Sequence, residues 1–139
     1  MDDALRKMRE LTPAEAMDRL GSVPFGRVVF TWQALPAVRP VNHIVDNGQV
    51  IIRTHEGAAI VTAASGDRGT VVAYEADHLD PCSRTGWSVV VTGLAHVVDE
   101  PERSVRYREA LQPWLAGDMD SVISIDARVI TGFELVPSE

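Results

Sequence analysis

Between Phe25 and Val98 the sequence repeats one texture: short runs rich in valine, isoleucine and threonine, each bounded by Pro, Gly, Asn or Asp. They are "FGRVVFTW", "AVRPVNHIV", "QVIIRT", "TVVAYEA" and "GWSVVVTGLAHVV". β-Branched side chains are stiff about their first torsion and pack well on a pleated surface, so such runs predict strands. Asp46-Asn47-Gly48, between the second and third runs, predicts a tight hairpin, because Asn-Gly accepts positive φ at both central positions. Leu35-Pro36 marks the turn before it. With two short strands in "SVISIDARVITGFELV", the inventory is six or seven strands. Hairpin order with few crossover helices predicts a mainly β chain with short α-helices, built as an antiparallel barrel and not a parallel sheet.

The helices punctuate this pattern. Thr12 as N-cap, Pro13 at the first helical position and Glu15 in the capping-box place predict a helix over 12–20, with Met17 and Leu20 turned inward and Gly21 as its stop. The preceding "DDALRKMREL" is expected to be helical too, giving an N-terminal helical segment over 1–21 ahead of a barrel over 25–135. A helix of about two turns is predicted from Ala58 towards Ala64, ending at Ser65-Gly66. Asp99-Glu100-Pro101 opens another, running through "ERSVRYREALQPWL", with Val105, Leu111 and Trp114 facing the core and Pro113 ending or bending it. The polar "DHLDPCSRT" is expected to be a loop between two long strands.

Composition narrows function mainly by exclusion. The length of 139 residues fits one domain, and 45% hydrophobic with 24% charged residues is the balance of a soluble globular protein. The apolar runs are too short for a transmembrane helix, and "MDDALRKMREL" lacks the pattern of a secretory signal, so a cytoplasmic location is expected. A net charge of -7 disfavours general affinity for nucleic acid or for an anionic membrane. Lys7 is the single lysine, so nearly every cation is a guanidinium, the group suited to bidentate phosphate or carboxylate contacts. Cys82 stands alone, which excludes an intrachain disulfide and a cysteine-built zinc site. His43, His55, His78 and His96 form no metal-ligand pair at helical spacing, and hydrogen-bonded or surface roles are expected for them. There is no GxGxxG, no Walker loop and no nucleophile elbow.

The step from "QVIIRT" into "HEGAAIV" is where chemistry is expected. The first amides of a helix have no intrahelical partner and lie at the positive end of its dipole, so an anion there gains hydrogen bonds and field together. Ala58, Ala59 and Ile60 would offer those amides, Arg53 a guanidinium and Thr54 a hydroxyl. The alternative is that Arg53 pairs with Glu56 or another acid while the alanines pack a small helix on the barrel.

Taken in order, "GRVVF", "RPVNHIVDNGQVIIRTHEG", "VVAYEAD", "TGWSVVVTGLAHVV" and "PWLAGDMDSVISIDARVITGFEL" resemble the pyridoxamine 5'-phosphate oxidase-like superfamily of flavin-binding split barrels, and its short actinobacterial-type members in particular. The resemblance covers nearly the whole chain. It implies a six- to seven-stranded antiparallel split β-barrel that forms a homodimer, with FMN or a deazaflavin coenzyme in a groove between subunits. It implies that Pro40, Val41 and Asn42 lie along the flavin ring and that Arg53, Thr54, Gly57, Ala58 and Ala59 hold the phosphate. Trp87 and Ser88, after Gly86, would approach from the partner subunit or line the substrate side.

One departure stands out. Many relatives carry Ser or Thr and then Lys or Arg after the glycine, where this chain has Ala58 and Ala59. Each charge-assisted hydrogen bond is worth roughly 1.5–3 kcal/mol, so FMN is expected to bind more weakly here. The resemblance implies an oxidoreductase acting on a small molecule. The Ala58-Ala59 pair favours the other reading, a non-catalytic barrel that binds or senses a flavin, or haem through His43 or His55.

Overall fold

The computed structural model describes residues 5–55, 58–111 and 121–138. Among these, eight strands and three helices follow one another as β1 (Arg6–Glu10), α1 (Pro13–Gly21), β2 (Phe25–Trp32), β3 (Leu35–Asp46), β4 (Gln49–Thr54), α2 (Ala59–Ala64), β5 (Thr70–Asp80), β6 (Thr85–Val97), α3 (Pro101–Ala110), β7 (Ser121–Asp126) and β8 (Val129–Pro137). The sheet runs β1-β8-β6-β5-β2-β3-β4-β7, and a further β6–β7 pairing closes β6, β5, β2, β3, β4 and β7 into a six-stranded antiparallel barrel. β8 and β1 extend the sheet beyond the barrel. The fold is therefore the mainly β split-barrel architecture, with two strands more than the closed ring needs.

Closure depends on a change of partner along β6. Residues Gly86 to Thr92 pair with β8, whereas Ala95 to Val97 pair with β7. Gly93 stands between the two sets, and a β-carbon there would collide with the backbone oxygen of Asp126. Only glycine lets the end of β7 come this close.

The core follows the strand period. Val28, Phe30, Val50, Ile52, Val72, Tyr74, Val89 and Val91 point into the barrel, where Ile60 and Ala64 of α2 and Ala16 and Leu20 of α1 join them. Ile51 points the other way and is buried under α3 with Val98, Tyr107, Leu111 and Val122. β4 is thus covered on both faces, which is why "VII" has no polar alternation.

Several expectations hold. Thr12 and Glu15 form the reciprocal capping box of α1. Asn47 (φ 52°) and Gly48 (φ 75°) make the β3–β4 turn, closed by the Asp46–Gln49 pair. Others need correction. Arg6–Glu10 is a strand and not a helix, because β8 offers an open edge and Arg6 Nε and Nη2 both donate to Ser83 O, at 3.0 and 2.8 Å. The β2–β3 turn is Gln33-Ala34, both at positive φ, with Leu35 and Pro36 already in β3. His78 to Asp80 belong to β5, so the loop before β6 is shorter than expected. α1 includes Gly21, and Ser22 caps it. At the third helix Leu111 is buried as expected, but Val105 is exposed and Tyr107 is buried instead. Trp114, Pro113, Glu56 and Gly57 lie outside the described residues.

Candidate functional site

β3 changes neighbours halfway along, and the change opens a gap in the wall. From Leu35 to Asn42 it pairs with β2, while β4 takes only His43 to Asp46. β4 then continues through Arg53 and Thr54 beside β7 alone. The two strands part after the His43–Ile52 pair, and among the described residues no strand pairs with that edge of Leu35–Val41.

The register fixes which backbone groups face that edge. His43 N–H donates to Pro24 O at 2.9 Å, so His43 and every second residue before it turn towards β2. Pro36, Val38, Pro40 and Asn42 therefore turn their backbone groups to the gap. Proline offers no N–H, and edge positions are where a sheet tolerates it. Two prolines at this edge suppress strand addition and leave carbonyls interspersed with the amide of Val38.

The far side of the gap is the end of β4 and the start of α2. Thr54 is buried there, and Ala58 caps α2 without a side-chain hydrogen bond. Arg53 is directed elsewhere: its Nη1 donates to Arg108 O at 2.7 Å and Leu111 O at 2.9 Å, holding the carbonyl end of α3. The guanidinium expected at the phosphate is thus engaged in fixing a helix terminus, as cations at such ends commonly are.

Asn42, at the inner end of the open edge, is 9% exposed and lines a cavity of about 520 Å³ with Val23, Pro24, Ile44, Ala110 and Leu111. Val41 is half-buried against the core and Pro40 is exposed. His43 is turned into the protein. Its Nε2 meets Leu20 O at 2.8 Å and its Nδ1 meets Tyr74 Oη at 2.5 Å, and burial lowers its pKa. Both ring nitrogens of His43 are thus engaged within the protein. His55 is exposed.

Trp87 and Ser88 fall on opposite faces of β6. Trp87 packs in the barrel core and is 9% exposed. Ser88 faces outward, opposite Asp77 of β5 and Phe133 of β8. On that outer face Arg27 Nη1 reaches Glu75 Oε1 at 3.0 Å and Asp77 Oδ2 at 3.8 Å. Burial, then the hydrogen bond and charge of Asp77, push the Glu75 carboxyl up to about 7. The sequence carries a sign of this cluster: in "VVAYEAD" two acids two residues apart share one face of a strand otherwise apolar.

Among the described residues no group of three or more His, Cys, Asp or Glu side chains is placed to hold a metal ion, and no helix is long and apolar enough to cross a membrane.

Comparison with known proteins places this geometry. The family model for pyridoxamine 5'-phosphate oxidase matches residues 12–138. The uncharacterized protein Rv0080 of Mycobacterium tuberculosis is 54% identical over 133 residues, covering 94% of this chain and 88% of that protein. A Corynebacterium glutamicum structure, named provisionally as a pyridoxamine 5'-phosphate oxidase, superposes with a TM-score of 0.76 at 31% identity, covering 100% of this chain and 99% of that one. The FAD binding protein from Mycobacterium smegmatis gives a TM-score of 0.73 at 32% identity, covering 96% and 99%. With a family match over nearly its whole length and the split in its barrel wall, the chain belongs to the pyridoxamine 5'-phosphate oxidase-like family of flavin-binding split barrels.

Proposed function

We propose that this chain is a cytoplasmic homodimer that binds a flavin in the split between β3 and β4, at the boundary between two subunits, and uses it to oxidise or reduce a small molecule. The open edge of β3 carries the reading. An isoalloxazine ring presents alternating acceptors and donors along its pyrimidine side, and a strand edge with the Val38 amide among the carbonyls of Pro36, Val38 and Pro40 is a complementary surface. Asn42, in the adjoining cavity, adds a side-chain amide. Val41 stiffens the strand from the core side.

The anchoring of the flavin tail follows from what the chain lacks. Ala58 and Ala59 bring no cation or hydroxyl, and Arg53 is held by α3, so the phosphate would rest on the main chain about Ala58 and on Thr54. A mononucleotide gains little from so sparse a set, whereas FAD brings an adenosine whose contacts add to those of the ring. The FAD-binding relative from Mycobacterium smegmatis favours the same choice, with FMN and a deazaflavin as the alternatives.

When bound, the flavin supplies hydride or single-electron transfer. The protein's part is to hold the ring by main-chain groups that need not reorganise and to keep water from one face of it. The second reading, binding or sensing without turnover, draws on the same alanines. The test is to add FAD, FMN and deazaflavin separately to the purified chain, measure retention by absorbance, and then add a reduced nicotinamide. Stoichiometric retention with bleaching supports the oxidoreductase, and retention without bleaching by any donor supports the sensor. Retention of none of the three overturns both.

A further inference from the structure

The turn between β3 and β4 is tied down at both of its feet and at neither residue of its tip. At one foot Tyr107 Oη donates to Asp46 Oδ2 at 2.6 Å, and Arg106 Nη2 of the same helix stands 3.9 Å from that oxygen. At the other, Gln49 Nε2 donates to Asp126 Oδ1 at 2.6 Å while Gln49 Oε1 accepts from Arg103 Nη2 of α3 at 3.4 Å. Asn47 and Gly48, between the feet, are exposed, and a β-carbon at Gly48 would meet nothing within 4 Å. Among the described residues no acceptor takes the Gly48 N–H. The sequence has one other asparagine, and it is the reverse case: Asn42 is buried in a strand, and the amide after it, His43 N–H, donates to Pro24 O at 2.9 Å.

We propose that Asn47 is a self-modifying residue, converted to aspartate and isoaspartate through attack by the Gly48 nitrogen, and that the ties on Asp46 and Gln49 set how fast this happens. The proposal is independent of the flavin site.

The reaction needs only solvent. Hydroxide takes the Gly48 amide proton, the nitrogen forms a bond to Asn47 Cγ, and the side-chain nitrogen leaves as ammonia. Water then opens the cyclic imide: cleavage at Cγ leaves aspartate, and cleavage at the main-chain carbonyl leaves isoaspartate. Glycine, having no side chain, hinders the approach of its own nitrogen least. Ring closure requires Asn47 to leave the left-handed conformation it holds in the turn (φ 52°), so the rate follows the fraction of time the tip is open. Each hydrogen bond at the feet opposes that opening and slows the reaction. Isoaspartate adds one methylene to the main chain and one negative charge. A two-residue turn so lengthened no longer fits the Asp46–Gln49 pair, and the contacts of both feet with α3 are loosened.

Incubation of the full chain at mildly alkaline pH, followed by peptide mapping with mass spectrometry, tests this. Conversion at Asn47 is expected to run at least about tenfold faster than at Asn42, which is the control within the same molecule. Tyr107→Phe, which frees one foot, should speed conversion at Asn47 by about threefold or more. Gln49→Met, which frees the other, should do the same and serves if the first variant does not fold. In the isolated isoaspartate fraction amide exchange in α3 should quicken, whereas Asn47→Asp, which adds the charge without the methylene, should leave it unchanged. Asn47 persisting as long as Asn42 overturns the proposal, as do a rate that neither variant changes or an isoaspartate fraction whose α3 exchanges as in the starting chain.

Discussion

The hydroxyl of Tyr74 lies 2.5 Å from Nδ1 of His43, and the two rings meet edge to face with centroids 5.0 Å apart. Because Nε2 faces the carbonyl of Leu20, it must carry the proton and donate. Nδ1 is then the acceptor and Tyr74 the donor. This chain of bonds ties the last turn of α1 to β3 and β5, directly behind the open edge. Gly26 makes room for it, since a β-carbon there would sit 2.8 Å from Tyr74 Oη.

Removing the hydroxyl should therefore be felt as an unsatisfied buried nitrogen. Tyr74→Phe is expected to lower unfolding free energy by about 1–3 kcal/mol in urea titrations at neutral pH. An unchanged midpoint would refute the assigned bond.

The same pair predicts acid sensitivity. Burial depresses the folded pKa of His43 below its ordinary 6.5, so between the two values the unfolded chain binds a proton that the folded chain refuses. This share of stability is complete above about pH 6.5 and is lost as pH falls from there towards the folded pKa. Urea titrations of the chain and of His43→Gln at about pH 7.5 and 5.5 should give a smaller loss for the variant. An equal loss in both would remove His43 as the cause.

Arg53 should matter to α3 more than to any anion. Arg53→Met removes a donor shared by the carbonyls of Arg108 and Leu111. The expected cost is about 1.5–3 kcal/mol, with amide exchange accelerating at the end of α3. If exchange in α3 is unaltered and flavin affinity alone falls, Arg53 belongs to the cofactor after all.

Gly93→Ala should disrupt closure of the barrel, because the new methyl meets the main chain of Asp126, which cannot rotate aside. A loss of about 1–3 kcal/mol or more is expected by thermal melting. A neutral effect would mean that β6 and β7 can separate there without penalty.

At the start of α2 the prediction is a gain. Ala58→Ser with Ala59→Lys should raise FMN affinity by about tenfold or more, measured by fluorescence titration, if the phosphate lies beside these residues. No gain would move the phosphate elsewhere.

The sequence was legible where local chemistry decides the outcome. The Asn47-Gly48 turn and the Thr12–Glu15 capping box are set by residues within a few positions of one another. It was misleading where a distant partner decides. "RKMRE" has a helical composition, yet β8 recruits it as a strand. Val105 is exposed against expectation and Tyr107 is buried instead, its phenol reaching Asp46 Oδ2, at 2.6 Å, across the hairpin turn. At the site, the gap beside Pro40 to Asn42 depends on where β4 departs from β3, which no single segment encodes. The contacts of Arg53 Nη1 with the carbonyls of Arg108 and Leu111 span more than fifty residues and have no local sign in the sequence.

The central claim is that a flavin docks on the open edge of β3. Amide hydrogen exchange resolved at Val38, with and without FAD, tests it most directly. The account predicts slower exchange at this amide on flavin binding, with the β4-paired amides of Ile44 and Asp46 unchanged. Saturable binding of FAD with no change in exchange along Pro36 to Asn42 would contradict it.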